Sequence, residues 1–219
     1  MKLLSYKISE SSPLYGNGKG ISITSDKKIS NGDSCNTMNI AFPNHSGTHI
    51  DLPCHFDPDG ISLNDYSPSF WEFTNVELVD LTNKVDEFDL ITSKFLPKIN
   101  NNQIDLLLIK TGFGEYRGTD KYTLRAPGIS FELAHYLRKK FPKIRCIGMD
   151  LISISSYSKR KEGHKSHHAF LNPKRGNPIL LIEDMKITDV APFEKVIVAP
   201  LMIENSDGAP CTIFGYPAP

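Results

Sequence analysis

The stretch His45-Ser46-Gly47-Thr48-His49-Ile50-Asp51-Leu52-Pro53-Cys54-His55-Phe56 gathers three of the chain's seven histidines around one aspartate. On a helix His45 and His49 would share a face, as in the HExxH helix of zinc peptidases, but Asp51 would point well away from them. Gly47 and Pro53 also count against a helix. In an extended chain His45, His49, Asp51 and His55 have the same parity and project to one side, with a turn at Ser46-Gly47 adjusting the path. Imidazoles with a carboxylate form the ligand set of a catalytic Zn²⁺, with Mn²⁺ and Fe²⁺ as alternative occupants. The competing reading is a loop whose histidines are satisfied by hydrogen bonds. Cys54 has the opposite parity, which turns its thiol away from the histidine face.

Outward from this stretch, short apolar runs bounded by Gly, Pro, Asn and Asp read as strands. They span residues 76–81, 104–109, 146–154, 178–182, 196–203 and 209–216, and Asp207-Gly208 between the last two is a hairpin signal that makes those strands antiparallel neighbours. Phe131, Leu133, Ala134, Leu137 and Phe141 recur at helical spacing, with Ser130 as N-cap and Pro142 as terminator, so a helix is expected over 130–141. A second, weaker helical pattern runs from Asp86 to Leu96 with Phe88, Ile91 and Phe95 on one face. Strand, helix and strand around residues 104–150 suggest one βαβ crossover. The expected class is α/β with a mixed sheet and more strand than helix, in a single domain over 1–219.

The 219 residues carry 25 basic and 25 acidic side chains, a balance that removes the electrostatic footprint of a nucleic-acid binder. Cys35, Cys54, Cys146 and Cys211 are scattered and form no CxxC pair, which argues against zinc ribbons, thioredoxin-type sites and disulfide frameworks. No apolar run approaches the roughly 20 residues that span a bilayer, so no membrane partner is expected. Free cysteines and the lack of a leader-like N-terminus fit a cytoplasmic setting. No GxSxG elbow is present, and the glycines of Gly112-Phe113-Gly114-Glu115-Tyr116-Arg117-Gly118 are misplaced for a dinucleotide fingerprint. That segment reads as a loop after a strand, a candidate wall supplying Tyr116 or Arg117 to a substrate. His135 reads as a helix surface or packing residue, His164 as part of a solvated loop, and Phe70, Trp71 and Phe73 as core.

Residues 45–56 match the HxGTHxDxPxHF signature, and the chain resembles the cyclase-like metal-dependent hydrolases, the family of bacterial kynurenine formamidase (arylformamidase) and isatin hydrolase. The resemblance extends to Pro13–Gly16, Lys110–Phe113, Pro127–Ser130, Gly148–Ser153, His167–Leu171 and Ile182–Asp184. It implies the swivelling β/β/α-type cyclase fold and one or two divalent metals per chain, Zn first and Mn next. His45, His49 and Asp51 would hold a first metal, with Asp51 bridging to a second that His167 and Glu183 complete. His55 would act as general acid/base. Asp150 and Ser153 are then candidates to hydrogen-bond and orient the ligand histidines. The gap from His167 to Glu183 is about four residues longer than in the formamidases. On a strand His167 and His168 would face opposite ways, so only one can point inward, and His167 is preferred from the Ala169-Phe170-Leu171 that follows.

The implied activity is hydrolysis of a small amide or lactam by metal-bound hydroxide, with N-formylkynurenine, giving kynurenine and formate, the first named substrate. The alternatives are a ring-closing or dehydrating cyclase on the same site and a metal-binding protein without turnover. The resemblance also implies a homodimer or homotetramer, in which aromatic residues near Tyr15 complete a neighbour's pocket.

Overall fold

Thirteen strands and three α-helices, linked by loops and short 3₁₀ turns, make up the computed structural model, which describes residues 1–188 and 192–218. In chain order the strands are β1 Lys2–Leu3, β2 Ser22–Lys27, β3 Thr37–Ala41, β4 His49–Asp51, β5 Glu72–Phe73, β6 Val76–Asp80 and β7 Leu90–Ile91. They continue with β8 Leu106–Lys110, β9 Gly128–Ile129, β10 Cys146–Met149, β11 Leu180–Glu183, β12 Phe193–Pro200 and β13 Gly208–Pro217. The helices are α1 Asp120–Leu124, α2 Phe131–Lys140 and α3 Arg160–Leu171.

The runs richest in Leu and Ile form the centre of one mixed sheet, ordered β5-β12-β13-β4-β11-β10-β8-β6, with β1 beside β13. β6, β8, β10 and β11 run parallel to one another, and residues 106–109 and 146–149 are fully buried. Strands covered on both faces need continuous apolar runs, which is why these segments do not alternate. β4 joins this parallel half to the antiparallel half, pairing antiparallel with both β11 and β13. β6 at one end packs against β12 near the other, so the sheet is nearly closed. The strand-rich mixed α/β architecture is the expected one, and β8, α2 and β10 supply the expected crossover, since β8 and β10 are parallel neighbours.

α2 forms where the apolar spacing places it. Ser130 Oγ caps it by accepting from the Glu132 amide, and Leu133, Ala134 and Leu137 are buried. The second expected helix, over 86–96, does not form. Phe88 sits at a φ of 65°, and Leu90–Ile91 instead pairs in parallel with β9. The carbonyls of Asp89 and Ile91, which a helix would have used internally, accept from the amides of Gly128 and Ser130. Ile91 is buried by that pairing, so its hydrophobicity belonged to a strand.

β12 and β13 are antiparallel neighbours, as expected, but Asp207-Gly208 is not the turn between them. Residues 201–207 make the connection, and Asp207 ends it with its side chain turned toward His45 and His55, which flank β4. Phe73 and Trp71 are buried in the core and Phe70 packs against it.

Candidate metal centre

The register of β4 builds the centre. His49 stands opposite Glu183 of β11 and Pro210 of β13, and Asp51 lies two residues along on the same face. Gly47, at a φ of 63° that suits glycine, turns the chain just before the strand. Its carbonyl accepts from His49 Nδ1 at 2.8 Å. Helix α3 brings His167 over this strand, and His167 Nδ1 donates to the Gly163 carbonyl one turn back, at 2.9 Å. A Cβ on Gly163 would meet Ser155 Oγ at 1.9 Å, so the glycine is what lets the helix lie this close.

Both histidines therefore spend their Nδ1 proton on a backbone carbonyl and turn Nε2 toward carboxylates. His49 Nε2 is 3.4 Å from Asp51 Oδ1 and 3.5 Å from Glu183 Oε2. His167 Nε2 is 3.5 Å from Asp51 Oδ2 and 3.7 Å from Glu183 Oε1. All four side chains are buried. Two imidazole lone pairs and two carboxylates facing one another repel unless positive charge lies among them. That charge is either a proton on each ring or a cation, so the donor set fits a divalent metal. Among the described residues three groups have donor atoms within 4.8 Å of one another: His45–His49–Asp51 and Asp51–His167–Glu183, which share Asp51, and the less buried His45–His55–Asp207.

Without metal the protons take that place. Burial disfavours the charged His167 ring, yet its contacts with Asp51 and Glu183 outweigh burial and raise its pKa to about 9. His49 is raised well above the usual histidine value in the same way, against its burial. Burial pushes the Asp51 carboxyl up, but hydrogen bonds from His167, His45 and His49 hold it well below the usual carboxylate range. The His167 imidazolium stabilises the metal-free fold fully below about pH 6.5, and that contribution is lost as pH rises through about 9; the raised His49 acts in the same direction. Metal uptake must expel these protons, so zinc affinity is expected to rise at least about tenfold per pH unit between pH 6 and 8. Competition against a chromophoric chelator measures this, and a pH-independent affinity would refute the proton-filled centre.

His45 and His55 flank the buried group. His45 Nδ1 is 2.8 Å from Asp51 Oδ1 and its Nε2 is 3.3 Å from Asp207 Oδ2. A Cβ on Gly208 would lie 2.4 Å from His45 Cε1, so this glycine makes room for the ring. His55 stacks on His45 with ring centroids 4.1 Å apart, and its Nδ1 is 2.7 Å from Asp207 Oδ2. Burial raises the Asp207 carboxyl, while the His55 hydrogen bond and the His45 charge more than reverse this and lower its pKa. Phe56 stacks on His167 at 4.4 Å, closing one side. A cavity of about 370 Å³ opens over the cluster, bounded also by Leu14, Tyr15, Ile152, Arg160 and His164.

The structure thus brings His45, His49, Asp51, His55, His167 and Glu183 together. His167 lies on a helix rather than the strand expected of it. His168, about 100° further round, faces away against His164 and Phe56. His164 is also helical and lines the cavity, where a solvated loop was expected. Ser153 Oγ donates to Glu183 Oε1 at 3.1 Å, so it orients a carboxylate instead of a histidine. Asp150 touches none of these histidines. It accepts from Thr111 N, Thr111 Oγ1 and Gly112 N and so fixes the turn after β8. Tyr116 and Arg117 do not line the cavity: Arg117 forms a two-pronged pair with buried Asp184, and Lys121 lies over the Tyr116 ring. Asp207, unnoticed in the sequence because Asp-Gly reads as a turn, is the addition.

Residues 3–156 match the Cyclase family model, described as "Putative cyclase". The chain belongs to the cyclase family. A kynurenine formamidase of Geobacillus thermodenitrificans (strain NG80-2) is 29% identical over 213 residues, covering 94% of this chain and 92% of that protein. One from Bacillus cereus (strain ATCC 10987 / NRS 248) is 27% identical over 178 residues, covering 81% of this chain and 78% of that protein. Among solved structures, isatin hydrolase A from Labrenzia aggregata, bound to benzyl benzoate, superposes with a TM-score of 0.79 at 19% identity. That match covers 99% of this chain and 93% of the other and shows the shared cyclase-family fold. Among the described residues no helix is long and apolar enough to cross a membrane.

Proposed function

We propose that this cyclase-family chain is a metal-dependent hydrolase of small aryl amides, with N-formylkynurenine as its first substrate. The observation that carries the reading is the pair His49 and His167, each with Nδ1 committed to a carbonyl and Nε2 aimed at the Asp51 and Glu183 carboxylates. Full-length likeness to curated kynurenine formamidases supports the choice of substrate. His45, His49 and Asp51 would hold one ion and Asp51, His167 and Glu183 a second, zinc before manganese by the mixture of nitrogen and carboxylate donors. When bound, a divalent metal polarises the substrate carbonyl and makes water more acidic.

The chain's own residues supply the rest. Asp207 holds His55 Nδ1–H, which fixes the ring and leaves Nε2 basic. His55 Nε2 takes a proton from the attacking water and returns it to the arylamine nitrogen as the C–N bond breaks. The water oxygen stays on the formyl carbon, giving formate and kynurenine. Leu14, Phe56 and Ile152 line the cavity with apolar surface suited to an aryl ring.

Association into a homodimer or homotetramer belongs to the same proposal. The β2–β3 ribbon is exposed along nearly its whole length and carries Met38 and Ile40, each more than half exposed, an apolar surface of the kind a second copy covers. Light scattering that returns a monomer mass at all concentrations would refute it.

The test of function pairs metal analysis by mass spectrometry with turnover of N-formylkynurenine. One or two divalent ions per chain and chelator-sensitive release of formate are expected. Metal without turnover would overturn the substrate. Failure to take up zinc or manganese on reconstitution would overturn the centre itself.

A further inference from the structure

The cavity over the metal centre is not electrostatically uniform. Its floor carries the Asp51 and Glu183 carboxylates, while its rim carries Arg160, the first residue of α3. The guanidinium of Arg160 stacks on the Tyr157 ring, 4.0 Å from its centroid, and among the described residues no carboxylate lies within ion-pair distance of it. Tyr157 is itself fixed: Tyr15 packs edge-on against it, ring centroids 5.5 Å apart, and the glycine at position 16 is needed because a Cβ there would lie 2.5 Å from the Tyr157 ring. Burial raises the Tyr15 hydroxyl's pKa, and that hydroxyl feels the charges of both Arg160 and Glu183, so the aromatic rim lies within electrostatic reach of both ends of the cavity.

A positioned arginine on an aromatic ring, facing a cavity and lacking a protein carboxylate, is suited to a planar ligand carboxylate. Between rim and floor Leu14, Phe56 and Ile152 supply apolar wall beside the polar Ser155 and His164. The site therefore matches a molecule with a scissile amide at one end, a ring in the middle and a carboxylate at the other end. We infer that Arg160 is a specificity-determining residue that binds the remote carboxylate of the aryl formamide substrate and so selects it over a neutral aryl amide. This rests on the hydrolase reading above for the reaction but not for the binding.

The experiment compares N-formylkynurenine with 2′-formamidoacetophenone, the same aryl formamide without its amino-acid end, in wild type, Arg160→Gln and Arg160→Lys, all metal-loaded. Arg160→Gln is expected to raise KM for N-formylkynurenine by about 10- to 100-fold with kcat nearly unchanged. Kinetics on 2′-formamidoacetophenone should stay within about twofold, and Arg160→Lys should recover part of the loss. Calorimetry with L-kynurenine and 2-aminoacetophenone reads the same preference without turnover. If wild type hydrolyses neither formamide yet binds kynurenine in an Arg160-dependent way, the reaction assignment falls and the carboxylate site stands. Equal loss on both ligands, or no loss on either, or no kynurenine binding by wild type, overturns the site.

Discussion

Asp51→Asn is expected to strip the chain of metal and to lower turnover by about a thousandfold or more. Asp51 touches three histidines at once, with Oδ1 2.8 Å from His45 and 3.4 Å from His49, and Oδ2 3.5 Å from His167. It joins the His45–His49–Asp51 group to the Asp51–His167–Glu183 group on the cavity floor. The amide keeps the shape of the side chain but loses its charge and replaces one acceptor oxygen by a donor. Metal-supplied stabilisation of the reacting charge is worth several kcal/mol, and about 4 kcal/mol corresponds to a thousandfold. Metal content by mass spectrometry, turnover and circular dichroism together check the result. A folded variant that keeps full metal and full activity would remove Asp51 from the centre and with it the proposed function.

The part of this centre on β4 was legible in the sequence because a strand has a period of two. His49 and Asp51 share parity, so their co-facing follows once the segment is extended. His55 reaches the same place differently: it lies on the 3₁₀ turn Pro53–His55, and stacking on His45 brings it back over the strand. The parallel core was legible for a related reason, since strands buried on both faces write themselves as unbroken apolar runs.

Helix α3 was not legible. Its buried residues are Gly163, Ser166, His167, Ala169, Phe170 and Leu171, so before its last turn the buried positions are small or polar. That part packs on the His49–Asp51–Glu183 cluster and on Ser155, where close approach and hydrogen bonding replace hydrophobicity as the selecting force. A search for apolar periodicity is blind to such a face. The preference for His167 over His168 stood on the residues that follow. The geometry separates them by the 100° step of a helix, not the alternation of a strand. Conversely, Phe88, Ile91 and Phe95 have helical spacing without a helix, because β9 claims the backbone of that segment.

His55→Ala should leave metal content unchanged and lower kcat by about 10²- to 10⁴-fold, the range for losing a positioned acid/base. His55 is grouped with His45 and Asp207 and not with the buried Asp51 and Glu183, and its nearest polar contact is Asp207 at 2.7 Å, so a loss of metal in this variant would instead make His55 a ligand. Asp207→Asn tests the positioning. The Asp207 carboxylate accepts from Asn44 as well as from His55, so it is anchored before it orients the ring. An asparagine there can present its NH₂ to His55 Nδ1, favouring the tautomer whose Nε2 carries the proton and cannot act as a base. The expected loss is about 10- to 100-fold, as found when a group that orients a site residue is removed. If Asp207 works through His55, the double variant falls no further than His55→Ala alone, since the two act as one unit. Losses that multiply would instead assign Asp207 a separate role through His45, whose Nε2 lies 3.3 Å from the same oxygen. Metal content distinguishes that outcome again, because a role through His45 would appear as lost metal, whereas a role through His55 would leave the metal in place and remove only the proton transfer.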